Sequence, residues 1–211
     1  MDLAQLRVDY SSRGLAEAEL DPSPFVQFEA WITEAIRLDL PEPTAMSLAT
    51  ATPDGRVSCR VVLLKGVDSG FVFYTNYDSD KGRALAENPF AALTFFWSAI
   101  ERQVRVEGTA ERTSAEESAA YFAQRPRGSQ LGAWASRQSR TLVSRDALDA
   151  RLRELEAEYA GRDVPMPPYW GGYRIIPDRL EFWQGRTSRL QDRLVYVRQP
   201  DDTFRITRVS P

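Results

Sequence analysis

The sequence predicts a mainly β domain of the α+β kind, an antiparallel barrel with peripheral helices. Three observations carry that expectation. Five or more apolar runs of strand length occur between residues 44 and 209. They are linked by hairpin-type punctuation, most clearly Pro53-Asp54-Gly55, and interrupted by capped helical stretches. Neither a GxGxxG after a strand nor a GxxxxGK[ST] is present, which removes dinucleotide-binding and P-loop architectures.

The elements follow in order. Residues 1–21 are polar, turn acidic towards their end and read as a mobile arm preceding a single domain over 22–211. From Pro24, the residues Phe25, Phe28, Ile32, Ala35 and Ile36 recur at helical spacing behind the caps Asp21 and Ser23; Pro41 and Pro43 end that helix. Strands are expected at 44–52, 56–65, 70–76, 90–97 and 102–112, the last alternating cleanly through Val104, Val106 and Gly108. Asp78 or Ser79 caps a short helix over 80–88, and Ser114 with Glu117 has capping-box spacing for a helix over 114–125. A third helix is expected at 144–160, then strands at 172–183, 192–198 and 203–209.

Composition narrows the chemistry. The chain has 211 residues and a formal net charge of -3, ordinary for a globular protein and unfavourable for nucleic-acid or membrane-surface binding. Histidine is absent, so imidazole bases, Ser-His or Cys-His pairs and His-ligated metals are excluded. The single cysteine, Cys59, rules out an intrachain disulfide and a CxxC knuckle. No apolar run approaches 18 residues and the first ten residues lack a signal-peptide pattern, so a cytoplasmic location is expected. Of 27 basic residues only two, Lys65 and Lys81, are lysine. Chemistry therefore falls to a bound cofactor or to carboxylates, Arg, Lys, Tyr and Ser.

Four clusters carry such groups. Arg60-Val-Val-Leu-Leu-Lys65 offers a guanidinium fork and a point charge for anions, although alternation puts residues 60 and 65 on opposite strand faces. Tyr74-Thr75-Asn76 followed by Ser79-Asp80-Lys81-Gly82 ends a strand at a helix start, a natural phosphate cradle. Tyr121 and Arg125 lie one turn apart, and Pro126 ends their helix so that Ser129 can fold back beside them. If 189–193 is extended, Arg189, Gln191 and Arg193 share one face, an arrangement that calls for an anionic or aromatic ligand. Each cluster also fits plain structure: a core strand, a strand-to-helix turn, a surface helix end and a solvated sheet edge.

Taken together and in this order, RVVLLK (60–65), FYTN (73–76), ERQVRVEG (101–108), YFAQRPRGSQLGAWAS (121–136), RQS (137–139), PPYWGGYRI (167–175) and EFWQGRTSRLQDR (181–193) closely resemble the pyridoxamine/pyridoxine 5'-phosphate oxidases. The resemblance runs from about Leu6 to Pro211. It implies a split antiparallel β-barrel, a homodimer with FMN at the subunit interface, and oxidation of pyridoxamine or pyridoxine 5'-phosphate by O2 to pyridoxal 5'-phosphate in vitamin B6 metabolism. Carried over residue by residue, FMN contacts fall on Arg60, Val61, Val62, Leu63, Leu64, Lys65, Tyr74, Thr75, Asp80, Lys81, Gln103, Gln138, Ser139, Trp183 and Arg193. Substrate contacts fall on Lys65, Tyr121, Arg125 and Ser129 for the phosphate, and on Arg189 and Gln191, the latter pair also as catalytic residues. Arg7 to Tyr10 correspond to a segment covering the site.

Two positions depart from the family pattern. Asp80 stands where a second cation is usual, and an inward-pointing Asp80 would weaken binding of the flavin phosphate. Gln191 stands where an active-site His is usual; it keeps hydrogen bonding but cannot become cationic. Because the flavin does the redox step, the exchange is expected to cost on the order of 1 kcal/mol, roughly tenfold in rate, rather than all activity. A flavin oxidase acting on another substrate, as in phenazine biosynthesis, and a non-catalytic flavin or pyridoxal phosphate carrier are the competing readings; the intact phosphate clamp favours a phosphorylated substrate.

Overall fold

The computed structural model describes Tyr10 and residues 13–211. Nine strands form one curled antiparallel sheet: β1 (Ala45–Ala51), β2 (Val57–Leu63), β3 (Gly66–Val67), β4 (Phe71–Asn76), β5 (Phe90–Trp97), β6 (Arg102–Arg112), β7 (Trp170–Gln184), β8 (Asp192–Arg198) and β9 (Phe204–Arg208). Five helices surround it: α1 (Pro24–Arg37), α2 (Asp80–Glu87), α3 (Ala115–Gln124), α4 (Arg127–Ala135) and α5 (Arg145–Glu158). This is the expected split barrel with peripheral helices. Among the described residues no helix is long and apolar enough to cross a membrane, and no cluster of acids or thiols could hold a metal ion.

The strand order is β2-β1-β5-β6-β7-β4-β3, with β8 and β9 branching from β7. The 15-residue β7 causes the split. Its first part, from Trp170 to Ile175, pairs with β4, and its second, from Arg179 to Gln184, pairs with β8. The register with β6 shifts between Glu107 and Gly108, opposite Pro177, which has no amide hydrogen to offer the ladder. One strand can thereby serve two partners on the same edge.

α1 starts where its sequence signals it. Ser23 accepts from the Val26 amide, and Pro24 occupies the first turn, where its missing N–H costs nothing. Its buried face, Phe28, Trp31 and Ala35, plugs the barrel: Phe28 lies 4.9 Å from Phe71 and Trp31 5.1 Å from Phe182. A second apolar cluster of Phe122, Leu131, Leu155, Val164 and Trp170 ties α3, α4 and α5 to the start of β7.

Three local expectations need correcting. Pro126 does not simply stop a helix. It makes Arg125 extended (φ -68°, ψ 146°), as a residue before proline prefers, and then opens α4, so Ser129 sits in a helical first turn. Residues 189–193 are not extended throughout: Thr187–Arg189 form a tight turn and β8 begins only at Asp192. The two-residue β3 was not anticipated; it exists because Lys65 N–H reaches the Val72 carbonyl and Gly66 pairs with Val72.

At the N-terminus, Leu15 is buried, its amide donates to Asp192, and the Tyr196 hydroxyl donates to the Asp21 carbonyl. Residues 13–21 thus lie along β8 and β9. Arg7 lies outside the described residues.

Candidate active site

A cleft of about 540 Å³ opens between the end of β2, the C-terminal end of β4, and helices α2, α3 and α4. Arg60, Val61, Val62, Leu63 and Lys65 form one wall; Leu64 does not, being buried in the core. Residues 60 and 65 both reach the cleft, against the alternation rule, because β2 stops at Leu63. Leu64 N–H then bonds Thr44 and Lys65 N–H bonds Val72, which turns the chain. Tyr74, Thr75 and Lys81 form the floor, and Tyr121, Arg125 and Ser129 the opposite wall.

The floor is built by a local sequence device. Ser79 caps α2, accepting from the Gly82 amide, which puts Lys81 in the first turn beside Thr75. Lys81 Nζ lies 2.7 Å from Gln138 Oε1 and 3.1 Å from Thr75 Oγ1, all neutral acceptors. Burial, then the nearby Arg60, pushes the lysine pKa down. Arg60 donates to the Leu48 carbonyl, Thr50 and Ser58, and burial lowers it too.

The opposite wall is aromatic. The rings of Tyr74 and Tyr121 stack at 4.0 Å, and Tyr74 stacks on Trp170 at 5.4 Å. Gly172 makes this possible, since a Cβ there would come within 2.9 Å of the Tyr74 ring and 2.5 Å of Thr113. Burial, reinforced by Glu117 and Tyr121, pushes the Tyr74 hydroxyl up to about 12, so it stays protonated. Arg125 lies 4.8 Å over the Trp170 ring, with Nη1 buried and without a hydrogen-bond partner.

Two properties define this cleft. It holds four cations, Arg60, Lys65, Lys81 and Arg125, and no carboxylate. Moreover, the side chains of Lys65, Tyr121, Arg125 and Ser129 make no hydrogen bond to any described residue. Burial lowers the pKa of Arg60, Lys81 and Arg125, while Lys65 is exposed; partly buried cations in a lining without carboxylates suit an anionic group.

Asp80 is not in the lining. Its carboxylate points to Arg83 at the surface, and only its backbone amide turns inward, donating to Ser139. The carboxylate is therefore turned away from the cleft, although its charge still acts on Arg60 and Lys81 and raises both against the effect of burial. Ser139 lines an adjacent hollow of about 790 Å³, and Gln138 stands on the wall between the two.

The remaining predicted residues form a second group. Gln103 pairs with Trp183 across β6 and β7, and Trp183 with Arg193 across β7 and β8, so the three stand in a row on one sheet face. The Tyr10 ring meets Trp183 edge-on at 5.6 Å. Arg193 is fully engaged, with Glu181 and the Ser210 carbonyl. Arg189 and Gln191 lie on the turn before β8, not beside Arg193. Ser188 and Arg189 both have positive φ (57° and 59°), a strain of about 1–2 kcal/mol each that the surroundings must hold. Part of that hold is Gln191 itself, whose Oε1 accepts the Arg186 amide at 2.6 Å.

None of Gln103, Trp183, Arg189, Gln191 or Arg193 lines the cleft, so one chain does not bring its two groups together. Both nevertheless border the same outer face. Val61 pairs with Ser47, Ser47 with Thr94, Thr94 with Arg105, and Arg105 with Glu181, and Val57, Val61, Phe90 and Phe96 are exposed on it. Sequence reasoning missed Trp170, whose ring supports Arg125, and Glu181, which holds Arg193; WGGYR and EFWQG contained both, but as motif letters without a role.

Comparison with known proteins divides the chain in two, with Gln103 falling in the first part and Trp170 in the second. Residues 32–159 match the family described as "Pyridoxamine 5'-phosphate oxidase", and residues 170–211 match "Pyridoxine 5'-phosphate oxidase C-terminal dimerisation region". A pyridoxine/pyridoxamine 5'-phosphate oxidase of Rubrobacter xylanophilus is 63% identical over 199 residues, covering 94% of this chain and 92% of that protein. One of Paraburkholderia phymatum is 58% identical, with 99% of each chain covered. Among solved structures, PhzG from Burkholderia lata 383 in complex with tetrahydrophenazine-1-carboxylic acid superposes with a TM-score of 0.89 at 34% identity, covering 96% of this chain and all of that one. A pyridoxamine 5'-phosphate oxidase-related, FMN binding protein from Nostoc punctiforme, at 18% identity and TM-score 0.73 over 91% of this chain and all of that one, shares the fold.

Proposed function

The chain belongs to the pyridoxamine 5'-phosphate oxidase family, and from that premise we propose how its residues oxidise pyridoxamine and pyridoxine 5'-phosphates to pyridoxal 5'-phosphate. FMN is the cofactor, and the cleft fits it: cations without carboxylates, Arg125 with an orphaned buried nitrogen, and Lys81 on neutral acceptors only. The chemistry that bound FMN would supply is two-electron oxidation at the substrate's C4' carbon, with O2 as final acceptor and H2O2 released; for the amine substrate, water then supplies the aldehyde oxygen and ammonia leaves.

The protein's own part is binding and orientation. Arg60, Lys81, Thr75 and Gln138 hold the flavin phosphate. Lys65, Tyr121, Arg125 and Ser129 clamp the substrate phosphate, Arg125 by a charged fork and the two hydroxyls by donation. Tyr74 and Trp170 keep water from one side of the clamp. We assign Gln103, Trp183, Arg193, Arg189 and Gln191 to the cleft of a second copy. A two-fold axis through the shared outer face supports this, because it would carry each group over the other chain's cleft and cover the exposed Val57, Val61, Phe90 and Phe96. Arg189 then meets the substrate ring and Gln191 donates from its amide nitrogen. Residues 1–21 act as an N-terminal arm anchored along β8 and β9 through residues 13–21, with Arg7 and Tyr10 at its working end over the site, and 22–211 as the domain. The exposed, unpaired Cys59 fits a reducing, cytoplasmic setting.

The unpartnered Lys65, Tyr121, Arg125 and Ser129 carry this assignment. Mixing the flavin-loaded protein with pyridoxamine 5'-phosphate without air should bleach the flavin, and admitting air should consume O2 and yield pyridoxal 5'-phosphate. Light scattering should give about twice the 23.9 kDa chain mass. Bleaching by tetrahydrophenazine-1-carboxylic acid, with neither vitamer active, would instead assign a carboxylated tricyclic substrate, as bound by the Burkholderia lata protein.

A further inference from the structure

Asp192 gathers three segments that are far apart in the chain. Its Oδ2 accepts the Leu15 amide at 2.9 Å and Arg186 Nη1 at 3.0 Å, and its Oδ1 accepts from Arg208. Arg208 in turn reaches back to the Leu15 carbonyl at 2.8 Å and grips Glu17 with two nitrogens. The Asp192 side chain is only 13% exposed. Gly14 is part of the same contact: a Cβ there would sit 1.9 Å from Arg186 Nη1 and 2.9 Å from Asp192 Oδ2, so a larger residue would displace the Arg186 guanidinium. Arg186 is the first residue of the strained turn that carries Arg189 and Gln191, and Gln191 closes that turn by accepting the Arg186 amide.

We propose that Asp192 is a positioning residue that locks the Arg186–Gln191 turn to the N-terminal segment, so that substrate contacts on the turn are formed only while residues 13–17 are docked. It touches neither ligand. Its carboxylate fixes Arg186 from one side while Leu15 and Arg208 fix the carboxylate from the other. The backbone strain at Ser188 and Arg189 is the kind that persists only where neighbours over-determine it, and the Asp192 contacts supply that restraint. The segment and the turn should therefore loosen together. The proposal rests on the assignment of Arg189 and Gln191 to substrate binding.

Full-length Asp192→Asn keeps the side-chain volume but gives up the charge that holds Arg186 and Arg208. With pyridoxamine 5'-phosphate we expect KM to rise about tenfold while kcat stays within about threefold and flavin content is unchanged. Amide hydrogen exchange should quicken in residues 13–17 and 186–191 together. Arg186→Gln, at a half-exposed position that unfolding cannot confound, should raise KM in the same direction. Gly14→Ala, which displaces Arg186, should do so too, and combined with Asp192→Asn it should add little beyond the larger single effect. An unchanged KM in both Asp192→Asn and Arg186→Gln, a multiplicative rise in the double variant, or faster exchange in only one segment overturns the proposal. Absence of flavin bleaching by either vitamer in the unmodified protein overturns the substrate assignment instead, and the exchange result then decides the mechanical coupling by itself.

Discussion

The cleft beneath β2 and the far end of the sheet at β6–β8 are both rich in arginine, and they treat its charge in opposite ways. In the cleft, Arg60, Lys65, Lys81 and Arg125 face no carboxylate, and burial lowers the pKa of Arg60, Lys81 and Arg125. At the far end, Arg105, Arg179 and Arg193 surround the buried Glu181, and Arg186 and Arg208 share Asp192. There the carboxylate partners raise Arg193 and Arg208. The same residue type therefore marks ligand binding where its partner is missing and architecture where its partner is supplied. Ligand removal and partner removal should have opposite consequences in the two regions.

The largest effect is expected at the far end. Glu181→Ala leaves up to three guanidiniums around an empty buried position, and unfolding free energy should fall by about 3–5 kcal/mol in denaturant titrations at fixed protein concentration. Burial pushes the Glu181 carboxyl up, but Arg193, Arg105 and Arg179 outweigh it and hold it below its ordinary 4.5. A depressed carboxylate contributes stability above its unfolded pKa and loses it as pH falls through the folded one. The native protein should accordingly lose stability below pH 4.5 with a steeper slope than Glu181→Ala. Equal slopes would remove Glu181 from the architectural class.

Arg125→Ala tests the opposite claim. No hydrogen-bond or ion-pair partner is abandoned, only the packing on Phe122 and Trp170, so thermal stability without ligand should fall by no more than about 1 kcal/mol, yet kcat/KM for pyridoxamine 5'-phosphate should drop by about 3 kcal/mol, roughly a hundredfold or more. Flavin content should hold. Steady-state kinetics showing a change under threefold would mean that the orphaned nitrogen serves no substrate phosphate. Lys81→Ala should be milder, about 2 kcal/mol or thirtyfold in FMN affinity by flavin fluorescence titration, because Arg60 and Gln138 remain. Its flavin-free form should be no less stable than the unaltered protein, since a desolvated charge has gone. A destabilised flavin-free Lys81→Ala would collapse the distinction between the two regions.

The cleft was the more legible half, for a physical reason. Its groups are set by short-range geometry: Ser79 capping α2 places Lys81 beside Thr75, and the end of α3 before Pro126 places Tyr121 and Arg125 on one wall. Where it was misread, non-local hydrogen bonds decided. β2 ends at Leu63 because Leu64 and Lys65 bond Thr44 and Val72, which no alternation rule contains. Pro126 obeyed the rule for helix starts as well as the one for stops, and the apolar packing of Leu131 in the second cluster is what continues the chain as α4. The far end was less legible still. The turn before β8 is held by a glutamine side chain and by a carboxylate bonded to Leu15, 177 residues away, so a local reading as extended chain had no signal to correct it.

The smallest effect concerns that turn and the absence of histidine from the whole chain. Gln191 accepts the Arg186 amide through Oε1, which leaves its amide nitrogen to donate, and neither function changes with pH. Histidine at this position can imitate the acceptor only while its ring is neutral; once protonated, both nitrogens are donors and the Arg186 amide loses its partner. Gln191→His should thus lie within about tenfold of the unaltered protein above pH 8, about 1 kcal/mol in either direction. Below roughly pH 6.5 its KM should climb as the strained Ser188–Arg189 turn is released. Since the substrate's own ionisations are common to both proteins, the ratio of their kcat/KM values against pH isolates this one group. A ratio that is flat between pH 5.5 and 8.5 would show that the turn does not depend on the residue 191 acceptor. A ratio that falls with acid would show how a chain without imidazole gains a turn that holds its shape across that range.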